Sequence, residues 1–415
     1  MPKKRIFLMG ILALIIILLW LGTTAHPRVW PVRNVLLYRV MMWWQSTPTA
    51  ETATGALAGL VTDDDRQPVA DAWVLVSRWD GQTYRARSNA DGTFRIEGVP
   101  AGRYRPAAAA PGFENQISAA VAIRDGQATN QNIALMPAQI RAVTPGQNLT
   151  LGEPATRTCQ NPIESRAVRR TVTFDNAGRP NQTTFLYTPV EAAADLPILL
   201  AVYPGPAEGW ECASLPLAQA GYATLGIGPA YSFDLDTDID ELERLVDFAR
   251  RGRFPGTDGA RIALLGGSYS GLHVQRMLQR DPDFVAAVLL GPPTDLFEMR
   301  RQLESGEYIP PYGLDQALIA LGLPHRQPGR YWQYSGAYHV QPDFPPILLL
   351  HSRSDAVVPW QQSELLAREL ARLDVPHETH FFEGASHYLL DEGGQADTVK
   401  IYEFTLNFLD QRMSE

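Results

Sequence analysis

Three hydrophobic patterns follow one another along the chain. Ile6 to Gly22 is an unbroken apolar run of 17 residues behind Lys3, Lys4 and Arg5. At a rise of about 1.5 Å per residue, a helix of that length just spans a bilayer core. Two readings stay open: a signal anchor, or a signal peptide cleaved near Thr23-Thr24-Ala25. The next stretch, Val29 to Trp44, carries Arg33 and Arg39 among Trp, Met, Leu and Val. Trp and Arg favour the headgroup layer, which supports the anchor. With the basic start held inside, everything after Ala25 is expected outside the cytoplasm, at the cell surface or in a periplasm, or secreted if the signal is cleaved. Residues 1–25 are thus the signal segment. Residues 26–54 are a juxtamembrane stretch and a linker, and Gln45 to Thr54 shows no periodicity.

The second pattern covers residues 55–137, where short alternating strands are broken by Asp80-Gly81, Asp91-Gly92, Pro100-Ala101-Gly102 and Pro111-Gly112. Turn signals at such spacing predict a small β-sandwich. The third pattern fills residues 138–415. Thr171 to Phe174 and Thr183 to Tyr187 read as lead-in strands. Pro197 to Tyr203, Tyr222 to Ile227, Arg261 to Leu265, Phe284 to Leu290, Pro346 to Leu350 and His377 to Phe382 read as further strands. Continuous apolar runs such as "PILLAVY" suit strands buried on both faces. Helices are expected at Ser214–Ala220, Asp236–Arg250, Ser268–Arg280, Pro359–Leu373 and Thr398–Leu409. The alternation predicts a doubly wound, mostly parallel α/β sheet. Residues 296–343 interrupt it and read as a cap insertion.

Composition narrows the function. The chain has 415 residues, 45% of them hydrophobic, with a net charge of −9. Residues 1–50 hold six basic residues and no acid, so the remaining 365 carry −15. An acidic body argues against nucleic-acid binding, which draws on basic surface. Two cysteines, Cys159 and Cys212, exclude a Cys-rich metal site, and no H-E-x-x-H motif occurs, so no metal or cofactor is expected. On the extracytoplasmic side the two have one pairing open to them; the alternative is two buried thiols.

The chemical signal sits at one strand-to-helix turn. Gly266-Gly267-Ser268-Tyr269-Ser270-Gly271 follows a buried strand and opens a helix. A serine hydroxyl becomes a nucleophile when a sharp turn projects it, a base takes its proton, and helix-start amides receive the oxyanion. Ser270 stands where the G-x-S-x-G pattern has its last Gly; as the nucleophile itself it lacks the flanking glycines. The bland alternative is a structural Gly-rich turn. Asp355, past the strand in "ILLLHSRSDAVVP", is the candidate acid, with Asp295 as runner-up. His387, in the loop between the last strand and last helix, is the candidate base. The chain order Ser…Asp…His agrees. His273, His351, His377 and His380 read as structural.

Residues from about 170 to 413 resemble the α/β-hydrolase superfamily, specifically the prolyl oligopeptidase catalytic domain and its dienelactone-hydrolase-like relatives. The resemblance rests on Tyr203-Pro204-Gly205-Pro206, the Ser268 turn, the Asp355 segment and "GASH" at His387. It implies a tyrosine hydroxyl in the oxyanion hole, here Tyr203, with the Gly205 amide as a second candidate because Pro204 offers no donor. The Tyr269 amide is implied in every version. Residues 55–137 resemble the carboxypeptidase regulatory-like domain, a transthyretin-like sandwich, through Gly59 with Asp63, Pro68-Val69, Asp91-Gly92-Thr93-Phe94, Pro100 to Tyr104 and Pro111-Gly112. That family implies a spacer, packing partner or binding module, here with cell-envelope contact. Trp73 and Trp79 read as packing residues in preference to a sugar platform. Residues 55–137 are too short for the β-propeller of the larger peptidases. The expected activity is a serine hydrolase cleaving small-molecule esters or short peptides. The alternatives are a carboxylesterase without peptidase activity, or a membrane-tethered binding protein on a hydrolase scaffold.

Overall fold

The computed structural model describes residue 40 and residues 53–413, apart from 139–144, 146, 161–162, 177–178, 192–193, 229–234, 309–317, 319–320, 385–386 and 388–395. The membrane segment expected at 6–22, the rest of 1–25 and nearly all of 26–54 lie outside the described residues. Among the described residues no helix is long and apolar enough to cross a membrane.

The β-rich unit begins at Thr54. Its strand Thr54–Thr62 pairs antiparallel with Thr93–Pro100 and parallel with Ala128–Asn130 and Ile133–Ala134. A second sheet runs in the order Thr83–Arg87, Trp73–Ser77, Ala107–Ala109, Gln116–Ile117. Along Thr93–Pro100, Phe94 and Ile96 are buried while Arg95 and Glu97 are exposed. That period of two places the apolar residues against Leu57, Val61, Val74 and Val76 in one core.

Among the described residues the C-terminal unit is built on ten strands: β1 (Gln147–Leu151), β2 (Ala155–Cys159), β3 (Ser165–Asn176), β4 (Arg179–Thr188), β5 (Leu196–Val202), β6 (Ala223–Ile227), β7 (Thr257–Gly267), β8 (Ala286–Leu290), β9 (Ile347–Ser352) and β10 (His377–Phe382). They form one sheet in the order β1-β3-β4-β6-β5-β7-β8-β9-β10, with β2 also paired to β3. The six strands from β5 to β10 run parallel. The helices are α1 (Glu211–Gln219), α2 (Leu235–Arg250), α3 (Tyr269–Arg280), α4 (Leu296–Ser305), α5 (Pro328–Gln333), α6 (Gln361–Arg372) and α7 (Ala396–Met413).

The continuous apolar runs are explained by burial on both faces. In β5, Ile198, Leu200 and Val202 pack with Leu242 of α2, Met277 of α3 and Leu366 of α6. Leu199 and Ala201, with Tyr203 just beyond the strand, point the other way, toward Leu217 of α1 and Phe408 of α7. Among the described residues, α2, α3 and α6 therefore cover one face and α1 and α7 the other. A disulfide joins Cys159, at the end of β2, to Cys212 in α1, with Cα atoms 5.5 Å apart.

The two units are docked on each other. Leu75, Ala107 and Ala109 of the β-rich unit share an apolar core with Leu296, Phe297 and Met299 of α4 and with Tyr331 and Trp332 of α5. Trp73 meets Tyr338 edge-on at 5.4 Å and carries the Arg87 guanidinium over its face at 3.8 Å. Arg87 also pairs with Glu369 of α6, and Asp71 with Arg372. The described part of the 296–343 insertion thus forms the seat of the β-rich unit, a role the sequence alone did not indicate.

Candidate active site

Ser268 lies between β7 and α3 with φ 53° and ψ −130°. A positive φ is costly for a residue with a Cβ, and here the turn imposes it. Close packing around the turn demands small neighbours. A Cβ on Gly266 would come within 2.8 Å of the Ser270 carbonyl oxygen, and one on Gly271 within 2.8 Å of Pro292 Cβ. Ser270 also has a physical reason to be serine. Its buried hydroxyl accepts from the Gly267 amide at 2.9 Å and donates to the Val202 carbonyl at 2.6 Å, lacing the turn to the end of β5.

Ser268, His387 and Asp355 are brought together from three separate loops. His387 Nε2 is 2.7 Å from Ser268 Oγ, and His387 Nδ1 is 2.7 Å from Asp355 Oδ2. Because the carboxylate can only accept, the proton belongs on Nδ1 and Nε2 accepts from the serine. Asp355 Oδ1 takes the amides of Val357 and Val358 at 2.8 and 2.9 Å. Burial alone pushes this carboxyl up, but the hydrogen bonds from His351 and His387 outweigh it and hold it well below the usual carboxylate range. The close approach continues at Gly291, φ 52°, where a Cβ would sit 3.2 Å from Asp355 Oδ2.

The runner-up acid, Asp295, is engaged elsewhere. It caps α4 by accepting from the Glu298 amide, and its other oxygen accepts from the Tyr338 hydroxyl at 2.8 Å, with Arg85 of the β-rich unit at 3.4 Å.

The oxyanion candidates separate. Tyr203 lines the cavity that opens on Ser268. Its hydroxyl is buried and pairs with Ser214 Oγ at 2.7 Å, with its ring stacked on Trp210 at 5.2 Å. Burial raises its pKa. Gly205 is packed tightly against Gly228: a Cβ there would fall 1.8 Å from the Gly205 carbonyl oxygen. Gly205 does not line the cavity beside Ser268. Tyr269 opens α3 directly after Ser268.

A cavity of about 320 Å³ opens on Ser268 and His387, walled by residues of β5, β7, β8, α1 and α7. Sequence reading missed its walls, since Trp210, Leu217 and Ile401 carry no motif. It also set His351 aside, although that residue lies four positions before Asp355 and touches it. Among the described residues no cluster of His, Cys, Asp and Glu is placed to hold a metal ion.

Residues 56–136 match the carboxypeptidase regulatory-like domain, and residues 236–415 match the prolyl oligopeptidase family. The chain carries a prolyl oligopeptidase family domain behind a carboxypeptidase regulatory-like domain. The uncharacterized peptidase YuxL of Bacillus subtilis (strain 168) is 23% identical over 210 residues, 48% of this chain and 31% of that protein. The chain therefore matches less than a third of that relative's length. Esterase B from Lactobacillus rhamnosis (HN001) superposes with a TM-score of 0.50 at 18% identity, covering 63% of this chain and 89% of that one. That likeness shows the α/β-hydrolase fold. Dipeptidyl peptidase 4 from Porphyromonas gingivalis gives a TM-score of 0.43 at 14% identity, over 85% of this chain and 49% of that one.

Proposed function

We propose that this prolyl oligopeptidase family domain cleaves carboxylic esters or short peptides through a Ser268–His387–Asp355 triad and an acyl-enzyme. The observation that carries the reading is the unbroken hydrogen-bonded line from Ser268 Oγ through the imidazole to Asp355, at 2.7 Å per link. Ser268 Oγ bonds to the carbonyl carbon as His387 Nε2 takes its proton. Asp355 offsets the imidazolium charge. The oxygen that gains negative charge is assigned to the Tyr269 amide at the start of α3. His387 passes its proton to the departing alcohol or amine, and the acyl group remains as an ester on Ser268. Water then gives a proton to His387 and attacks the acyl carbon. Ser268 leaves with the proton from His387, releasing the carboxylic acid.

The domain is also read as extracytoplasmic and held at a membrane by residues 6–22. The basic start before an apolar run supports this, and so does the Cys159–Cys212 bridge, which persists in oxidising compartments.

The test is Ser268→Ala with a fluorophosphonate probe. Ester turnover should fall on the order of 10⁴-fold, and the probe should label Ser268 in the unaltered protein. Labelling of a different serine would remove the assignment.

A further inference from the structure

We propose that the cavity beside Ser268 receives the acyl part of the substrate, and that this acyl part is an uncharged, apolar chain. The proposal rests on the Ser268 assignment above and adds a substrate class to it. Val202, Leu265 and Leu290, at or near the carboxyl ends of β5, β7 and β8, form the sheet side of the wall. Leu217 of α1 and Ile401 of α7 form the helix side. No Asp, Glu, Lys or Arg lines the cavity among the described residues.

The two phenols of the wall do not change its character. The Tyr203 hydroxyl pairs with Ser214, and the Tyr402 hydroxyl donates to the Ala213 carbonyl at 2.9 Å. Burial raises the pKa of both, as expected beside a poorly hydrated space. A carboxylate or ammonium entering here would lose its hydration without meeting a counter-charge. A hydrocarbon chain loses nothing of the kind and removes its own surface from water.

The cavity suits the acyl side of the bond. When the alcohol departs, the acyl group is still bonded to Ser268 Oγ, and it has to be held while water arrives. At about 320 Å³ the cavity is of the size that small-molecule sites occupy, roughly 300–1,000 Å³.

The experiment measures kcat/KM of the full-length protein on p-nitrophenyl acetate, butanoate, hexanoate and octanoate, with mono-p-nitrophenyl succinate as a charged acyl group. The alcohol is the same throughout, so only the acyl side is read. Values should rise about fourfold per buried methylene until the cavity is full, and the succinate ester should fall at least tenfold below butanoate. Ala213→Phe should lower the hexanoate-to-acetate ratio at least tenfold, and Leu217→Ala should move the optimum to longer chains. A flat chain-length profile overturns the proposal, as does a succinate ester cleaved as fast as butanoate. A hexanoate-to-acetate ratio that neither variant moves does the same. Loss of turnover on every ester, with no fluorophosphonate labelling of Ser268, instead overturns the nucleophile assignment itself.

Discussion

His351 Nε2 lies 3.2 Å from Asp355 Oδ2, the same oxygen that bonds His387 Nδ1 at 2.7 Å. His351 is fully buried. Its Nε2 also faces the Val358 carbonyl at 2.9 Å, and its Nδ1 faces Ser363 Oγ at 2.7 Å. Two acceptors at Nε2 place the proton there, so Nδ1 accepts from the serine. His351 is therefore placed to hold the carboxylate that also meets His387. His351→Leu should lower kcat about tenfold with little change in KM, since a lost hydrogen bond to a buried charge costs about 1.5–3 kcal/mol and part of it reaches the barrier. His351→Gln keeps a donor near the Nε2 position and should restore most of the rate. Equal loss in both variants would mean that packing alone is at work.

Arg85 links the two domains through Asp295 and Tyr338. Its Nη1 is 2.6 Å from the Tyr338 hydroxyl and 3.4 Å from Asp295 Oδ2. Asp295 is only 2% exposed, whereas the Arg85 side chain is 39% exposed, so water screens one end of the pair. A cycle of Arg85→Met, Asp295→Asn and the double variant, read by urea unfolding, should show a coupling of about 1 kcal/mol. Coupling near zero would leave the docking to the apolar contacts and to the Arg87–Glu369 and Asp71–Arg372 pairs.

His339 gives a pH dependence of stability. Burial lowers its pKa from 6.5 to about 4, outweighing its hydrogen bond to the Trp332 carbonyl. Between those values the unfolded chain binds a proton that the folded chain refuses, so stability is fully present above pH 6.5 and is lost as pH falls toward 4. The loss amounts to about 3 kcal/mol, at 1.36 kcal/mol per unit. Unfolding free energies measured from pH 7 to 4.5 should show this limb, and His339→Gln should flatten it. An identical acid limb in the variant would assign the effect to other groups.

The strands and helices of the sheet were legible because burial on both faces forces long apolar runs, as in Pro197 to Tyr203. β1 and β2 were not foreseen. β2 exposes four of its five residues, so no alternation marks it. Ser268, Asp355 and His387 could be picked out because each sits at a strand end with a recognisable local pattern. The side-chain commitments of Tyr203 could not. Its turn resembles an oxyanion turn, and only packing against α1 reveals that the hydroxyl pairs with Ser214. Domain docking was equally hidden. Arg85 and Asp295 are 210 positions apart, and nothing local to either marks the other.

The Cys159–Cys212 bridge closes a segment of 53 positions that contains β3, β4 and β5. A single peptide-bond cut anywhere between those cysteines leaves the two pieces covalently joined. The upstream piece keeps the β-rich domain and the downstream piece keeps Ser268, Asp355 and His387. A protease acting on this stretch would therefore not release the hydrolase from whatever its amino-terminal part is attached to. Separating the pieces would require reduction as well as the cut, so under oxidising conditions a nick there leaves them linked.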